Sequence, residues 1–312
     1  MHLRNAPFFH DIAEGPQAHA WWLEAQDGVR IRMAYWQGEN VRGTVFLFPG
    51  RTEYIEKYGR SAAEFAARGF AQISIDWRGQ GLSDRLIADH RSGYVSAFSD
   101  YQLDVSAVLE AAKHKSFPQP WYLVAHSMGG AIGLRAIIEG LPVSATVFSG
   151  PMFGIEMTAL RRPAAWALSW LSQKTRQGHR YAPGSTSEAY VLDAPFEGNT
   201  LTADPDMYSY MRRQLKHYPV LALGGPSLHW LHEALKECRD LRRMVSPDLP
   251  CITFLGDNER IVDAEAIHNR MQRWPDGKLE IIHGGEHEVL MELPDRRTKL
   301  FDQCALFFEQ CK

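Results

Sequence analysis

The chain has 312 residues, of which 45% are hydrophobic and 23% charged, an ordinary globular composition. That excludes intrinsic disorder, collagen and coiled coil. With 34 Lys and Arg against 37 Asp and Glu, the formal net charge is −3, so no global field favours nucleic acid. At ~150 residues per domain the length suggests two domains, although α/β folds reach this size around one core.

Residues Met1–His10 hold no apolar stretch long enough for a signal peptide. No run of about 18 apolar residues suggests a membrane span. Cys238, Cys251, Cys304 and Cys311 form no CxxC pair, and a chain of this length needs no disulfide staples. The expectation is reduced thiols in a cytoplasm, with Cys251 in the core.

In chain order, Ala20–Gln26 and Val29–Trp36 are apolar-rich runs separated by Asp27-Gly28, a hairpin signal. Thr44–Phe48, Ala71–Ile75, Trp121–Ala125, Ala145–Ser149, Cys251–Leu255 and Lys278–Ile282 are short runs of the kind that form buried strands. Helical patterns fall between them at Ile55–Arg68, Asp100–His114, Ala131–Glu139, Ala264–Trp274 and Asp295–Gln310. Eight strands alternating with helices predict an α/β fold with a mostly parallel sheet covered by helices. The alternation breaks at Pro151 and resumes at Cys251. Residues 151–248 therefore read as a helical cap inserted into a core formed by 1–150 and 249–312.

Ala125-His126-Ser127-Met128-Gly129-Gly130 follows a strand and opens a helix, the context of a nucleophile elbow. Residues two before and two after the nucleophile must be small, and Ala125 and Gly129 are. Ser127 needs a base, which in the elbow scheme is a downstream histidine preceded by an acid. His287, in the loop after the last strand, has the right order and place. His283 lies at the end of that strand and is the weaker choice. The acid belongs after Cys251–Leu255, where Asp257, Glu259 and Asp263 are all available to orient the imidazole. Two backbone N–H donors are needed for a tetrahedral intermediate. Met128 follows the nucleophile, and Arg51 lies in the Pro49-Gly50-Arg51 loop after Thr44–Phe48.

With these residues placed, the chain resembles the α/β-hydrolase superfamily. Within it, the chain is similar to bacterial lysophospholipases and monoacylglycerol lipases, also called serine-aminopeptidase-like. The marks are Pro49-Gly50-x-x-Glu53 before Lys57-Tyr58, Asp76-Trp77-Arg78-Gly79-Gln80-Gly81-Leu82-Ser83, His126-Ser127-Met128-Gly129-Gly130, Gly256…Glu259-Arg260-Ile261-Val262-Asp263 and His287-Glu288. The resemblance puts the acid just before the Arg-apolar-apolar-Asp run, at Glu259, with Asp257 as the alternative. It gives Asp76, Arg78 and Ser83 structural roles. It implies a serine carboxyl-ester hydrolase, without metal or organic cofactor, acting on a single-chain lipid such as a lysophospholipid or monoacylglycerol. The inserted segment then becomes a lid over an acyl pocket.

In that segment Pro163–Lys174 sets Trp166, Trp170, Ala167 and Leu171 on one helical face, making Trp166 and Trp170 candidates for the pocket. Arg161, Arg162, Lys174, Arg176 and Arg180 occur with no acidic residue between Glu156 and Glu188. A basic amphipathic patch suits an anionic inner membrane surface or a phosphate headgroup. The competing expectation is a lid helix packed on the core with a solvated charged rim. Rival functions on the same fold are a short-chain carboxylesterase and an aminopeptidase or amidase. The amidase would use Glu188, Asp193, Glu197, Asp204 or Asp206 to hold an α-amine. A non-enzymatic ligand-binding protein is a further rival.

Overall fold

The structure, a computed structural model, describes residues 3–311. Met1 and His2 of the N-terminal stretch read above lie outside the described residues. Among the described residues, nine strands form one sheet: β1 (Arg4–Asn5), β2 (Ala18–Glu24), β3 (Arg30–Trp36), β4 (Thr44–Phe48), β5 (Ala71–Asp76), β6 (Trp121–His126), β7 (Ala145–Ser149), β8 (Cys251–Gly256) and β9 (Lys278–Ile282). The expected eight become nine because the two-residue β1 pairs with β2, Arg4 opposite Trp22. A run that short carries no periodicity from which to read it.

The order across the sheet is β1-β2-β3-β5-β4-β6-β7-β8-β9. The first pairings, β1 to β2, β2 to β3 and β3 to β5, are antiparallel. From β5 through β9 the sheet is parallel. The helices are α1 (His10–Ala13), α2 (Gly59–Ala67), α3 (Tyr101–His114), α4 (Met128–Ile138), α5 (Arg161–Lys174), α6 (Tyr190–Asp193), α7 (Pro205–His217), α8 (Leu228–Arg243), α9 (Ala264–Met271) and α10 (Pro294–Gln310). A 3₁₀ turn over Ile55–Tyr58 precedes α2 where the sequence reads as continuous helix.

Successive side chains of a strand point to opposite faces, and both faces here are covered. Phe46, Phe48, Ile73, Ile75, Leu123, Ala125 and Phe148 pack on one side with residues of α3, α4 and α9. Val45, Leu47, Tyr122, Val124, Val147 and Phe254 pack on the other with Phe65 of α2 and Leu300, Phe301 and Phe308 of α10. Each buried Val, Leu, Ile or Phe among these contributes roughly 1.5–3 kcal/mol.

The chain leaves β4 for β5 on one side, then returns past it to β6 on the other. Such a switch point opens a crevice at the carboxyl ends of the strands. The register pairs Phe48 with Ala125, so the Pro49-Gly50 loop and Ser127 emerge side by side.

Among the described residues, no strand of the sheet lies between β7 and β8. Helices α5 to α8 occupy that segment instead. It is stitched to the sheet layer rather than standing apart. Trp230, Ala234, Cys238 and Leu241 of α8 join the same apolar cluster as the sheet. Met207, Tyr208, Met211 and Leu215 of α7 pack with Ile12, Tyr54 and Met291.

Candidate active site

Ser127 sits between the end of β6 and the first residue of α4 with φ 51° and ψ −119°, a strained conformation for a residue with a side chain. The turn is held because Ser127 N–H donates to Ser149 O at 3.0 Å and Gly130 N–H donates to Ser127 O at 2.8 Å. A Cβ on Gly129 would lie 2.2 Å from the Phe48 carbonyl oxygen, so no side chain fits there. Helix α4 thus starts at Met128, three residues before the apolar periodicity of its sequence, which Gly129-Gly130 interrupts.

His287 Nε2 lies 2.8 Å from Ser127 Oγ, and His287 Nδ1 lies 2.7 Å from Glu259 Oε2. The other carboxylate oxygen of Glu259 accepts from the Ile261 and Val262 amides at 2.7 and 3.1 Å. Burial pushes the Glu259 carboxyl up, but the charge and hydrogen bond of His287 and these two amides outweigh it and hold it below its ordinary 4.5. The alternative acid points elsewhere. Asp257 accepts from the Gly284 amide at 2.6 Å and pairs with His283, whose side chain is 89% exposed. Asp263 caps α9 by accepting from Ala266 N–H at 3.0 Å and pairs with Arg162 at 2.9 Å.

The loop after β4 is fixed at almost every peptide. Trp77 Nε1 donates to Pro49 O at 2.9 Å. Gly50 N–H donates to Glu53 Oε2, and Gln80 Nε2 donates to Gly50 O at 3.1 Å. Thr52 N–H donates to Gln80 Oε1 at 3.1 Å. In a trans peptide the C=O and N–H point in opposite directions, so pinning the Gly50 carbonyl on Gln80 aims the Arg51 N–H away from Gln80. A Cβ on Gly50 would lie 3.1 Å from Ser127 Cβ, which measures how closely the loop approaches. Among the described residues, the Arg51 amide has no acceptor. Met128, at the first position of α4, has no acceptor within the helix. The Arg51 side chain turns toward the inserted segment, donating to Gly224 O at 2.9 Å beneath the Trp230 ring. Burial pulls its guanidinium down to about 10.

Ser127 and His287 open into a cavity of about 370 Å³. Its apolar lining residues include Ala189, Val191, Leu201, Met211, Leu215 and Ile261. Its polar lining residues include Glu53, Lys57, His126 and Glu288. Motif spacing singled out none of these four as a site residue, although all lie within the stretches that carry the family resemblance. His287 N–H and Glu288 N–H donate to Thr200 O and Leu201 O at 3.3 and 2.7 Å, tying the histidine loop to the inserted segment.

Trp166 and Trp170 do not line this cavity. Trp170 is 53% exposed and Leu171 51% exposed, while Ser169 and Ser172 face inward. Ser169 Oγ of α5 lies 3.3 Å from His232 Nδ1 of α8, and Ser172 Oγ donates to Ser169 O within α5 at 2.6 Å. Trp166 lies edge-on to His232 and under Arg239, on the outer side of α8. Trp166 packs with Ala165 against the apolar cluster of Leu228, Leu231 and Leu235, whereas Trp170 is exposed, and neither reaches the cavity.

The family described as "Serine aminopeptidase, S33" matches residues 39–294. The chain belongs to this family. It is 31% identical over 300 residues to lysophospholipase L2 of Escherichia coli K12, covering 91% of this chain and 85% of that protein. Monoglyceride lipase of Saccharomyces cerevisiae is 22% identical, with 84% of each chain covered. The solved structure of a soluble variant of that yeast lipase has a TM-score of 0.72 at 21% identity, covering 98% of this chain and 99% of that one. The fold is the α/β-hydrolase fold, and the S33-family chain is a serine ester hydrolase.

Proposed function

We propose that this S33-family hydrolase cleaves the ester of a single-chain lipid, a lysophospholipid or monoacylglycerol, through an acyl-enzyme. The observation that carries the reading is the bonded series Ser127–His287–Glu259, whose first two members open into a cavity with both apolar and polar lining residues. Ser127 Oγ attacks the ester carbonyl carbon while His287 Nε2 takes the hydroxyl proton. Glu259 holds the ring through Nδ1 and stabilises the imidazolium. The Arg51 and Met128 amides receive the oxyanion. His287 then gives its proton to the departing alcohol, and water releases the fatty acid by the same steps. The apolar lining suits the acyl chain and the polar lining suits the alcohol.

Residues 151–248 act in this reading as the cap, because they supply most of the apolar lining. Peripheral contact with an anionic inner membrane surface from the cytoplasmic side belongs to the same reading. Its support is the outward face of α5 with its neighbour Leu160, 88% exposed, beside the exposed Arg161, Lys174, Arg176 and Arg180. Among the described residues no helix is long and apolar enough to cross a membrane.

The amide-cleaving reading draws less support. Glu188 pairs with Arg91 at 2.9 Å, Asp204 caps α7 and Asp206 pairs with Arg60 at 2.5 Å. None of these three, nor Asp193 or Glu197, lines the cavity. The test is a hydrolysis profile across acyl esters of increasing length, lysophosphatidylcholine, monoacylglycerol and amino-acyl anilides, with fluorophosphonate labelling of Ser127. Long-chain esters are expected to lead. Preference for short soluble esters or for anilides overturns the lipid assignment, and absence of Ser127 labelling overturns the hydrolase mechanism.

A further inference from the structure

Four ionisable side chains, Glu53, Lys57, His126 and Glu288, are buried together beside Ser127, and none is a member of the serine–histidine–acid series. Each belongs to a different part of the site. Glu53 is in the loop that carries the Arg51 amide, and Lys57 is in the 3₁₀ turn after it. His126 precedes Ser127, and Glu288 follows His287. Lys57 Nζ donates to Glu53 Oε1 and, at 2.6 Å, to Glu288 Oε1. Glu53 Oε2 accepts from Gly50 N–H and from Tyr58 O–H.

His126 completes the set. Its Nδ1 lies 2.9 Å from the Ser149 carbonyl oxygen, which can only accept, so Nδ1 carries a proton. Its Nε2 lies 3.3 Å from Glu288 Oε2 and 3.7 Å from Glu53 Oε1. A neutral ring would aim its Nε2 lone pair at two carboxylates. Burial disfavours the imidazolium, but the two carboxylates outweigh it and raise the His126 pKa. No well-aligned hydrogen bond forms at Nε2, so the attraction there is Coulombic. The two carboxylates thus face the Lys57 ammonium and the His126 ring together. Glu53, His126 and Glu288 also bring ligand atoms within 4.8 Å of one another, as a metal site would, but Lys57 Nζ already bridges both carboxylates.

Buried ion pairs rarely stabilise a fold more than apolar side chains of similar volume. What this group does is join three loops whose separation must be right to within a fraction of an ångström. We propose that Glu53, Lys57, His126 and Glu288 form a positioning unit, with Lys57 at its centre, that sets the Arg51 amide and His287 at fixed places about Ser127. This rests on the ester-hydrolase reading and adds residues to it. Without the Lys57 charge, Glu53 and Glu288 repel. The Gly50 amide loses a fixed acceptor, and the turn carrying His287 loses its tie to the oxyanion loop.

The experiment uses the full chain with a nitrophenyl ester, rates being normalised to Ser127 titrated by a fluorophosphonate. Lys57→Met is expected to lower kcat per titrated site about 100-fold with KM changed less than threefold. Lys57→Arg should recover at least about tenfold of that loss, because the guanidinium restores the bridging charge. Glu288→Gln, which keeps shape and is the variant to use if Lys57→Met does not fold, should lower kcat about tenfold. Its loss should combine with that of Lys57→Met less than multiplicatively. A tenfold rise in KM with kcat retained assigns Lys57 to substrate binding and overturns the proposal. Unchanged kcat per titrated site, with loss only of folded protein, overturns it in favour of a structural role. Multiplicative losses with normal wild-type labelling reject the unit and leave the hydrolase standing, whereas an unlabelled wild-type Ser127 rejects both.

Discussion

Strands β4 to β8 are buried at every residue, whereas α5, in the segment between β7 and β8, turns Leu168, Trp170 and Leu171 outward and Ser169 and Ser172 inward. The sheet has helices on both faces, so every apolar position in it finds a partner. Helix α5 packs on α8 through Ser169 and through Ala165 and Trp166. Leu168, Trp170 and Leu171 are left over. The sheet layer thus carries Ser127, Glu259 and His287 in the loops at its strand ends, while the segment between β7 and β8 carries surfaces: a pocket lining on α7 and an exposed apolar and basic face on α5.

The largest expected effect is on the sheet side. Ser127→Ala should lower ester turnover about 10⁴-fold or more without moving the thermal midpoint appreciably. Retained turnover would show that the strand-end assembly is not the reactive centre. Next, Glu259→Gln should cost on the order of 10³-fold in kcat, while Asp257→Asn should change it less than threefold, since its carboxylate serves His283 and the Gly284 amide. The reverse order of effects in a steady-state assay would move the acid to the other residue.

Substitutions in the inserted segment should act on selectivity instead. Leu215→Ala, in the cavity lining, should lower kcat/KM for long acyl esters about tenfold and leave short esters within twofold. Trp170→Ser should leave soluble-ester kinetics within twofold and weaken sedimentation with phosphatidylglycerol vesicles about tenfold. Equal binding of the variant and wild type to those vesicles would remove the membrane role from α5.

The smallest effect is on acid stability. Because the native Glu259 carboxyl lies below its ordinary 4.5, its contribution is complete above pH 4.5 and is lost as pH falls through the lower native value. Denaturant titrations should find the gap between wild type and Glu259→Gln constant above about pH 4.5 and narrowing as the pH falls below it. A gap that widens on acidification would mean the carboxyl is raised.

Some of this was legible from local pattern. Thr44–Phe48 and Ala145–Ser149 read as strands over the same residues they form, because a buried strand is a short apolar run with turn residues after it. Ser127 was legible because the elbow needs small residues at fixed offsets, and His287 because chain order restricts the partners. The two-residue β1 was not legible, since it exists only as a partner of β2. Nor were the neighbours of Lys57, which come from positions up to 231 residues away.

Periodicity, turn sterics and chain order in the sequence set an α/β fold with a mostly parallel sheet, the break after β7 and the types of group at the strand ends, while the hydrolase assignment came from the family resemblance of its motifs. Packing in three dimensions brings Glu259, the acid that the resemblance favoured over Asp257, to His287, turns Trp170 outward and gathers four buried ionisable groups from three loops. Those outcomes depend on which side chains come within about 3 Å of one another, and that distance is set by packing between elements far apart in the chain.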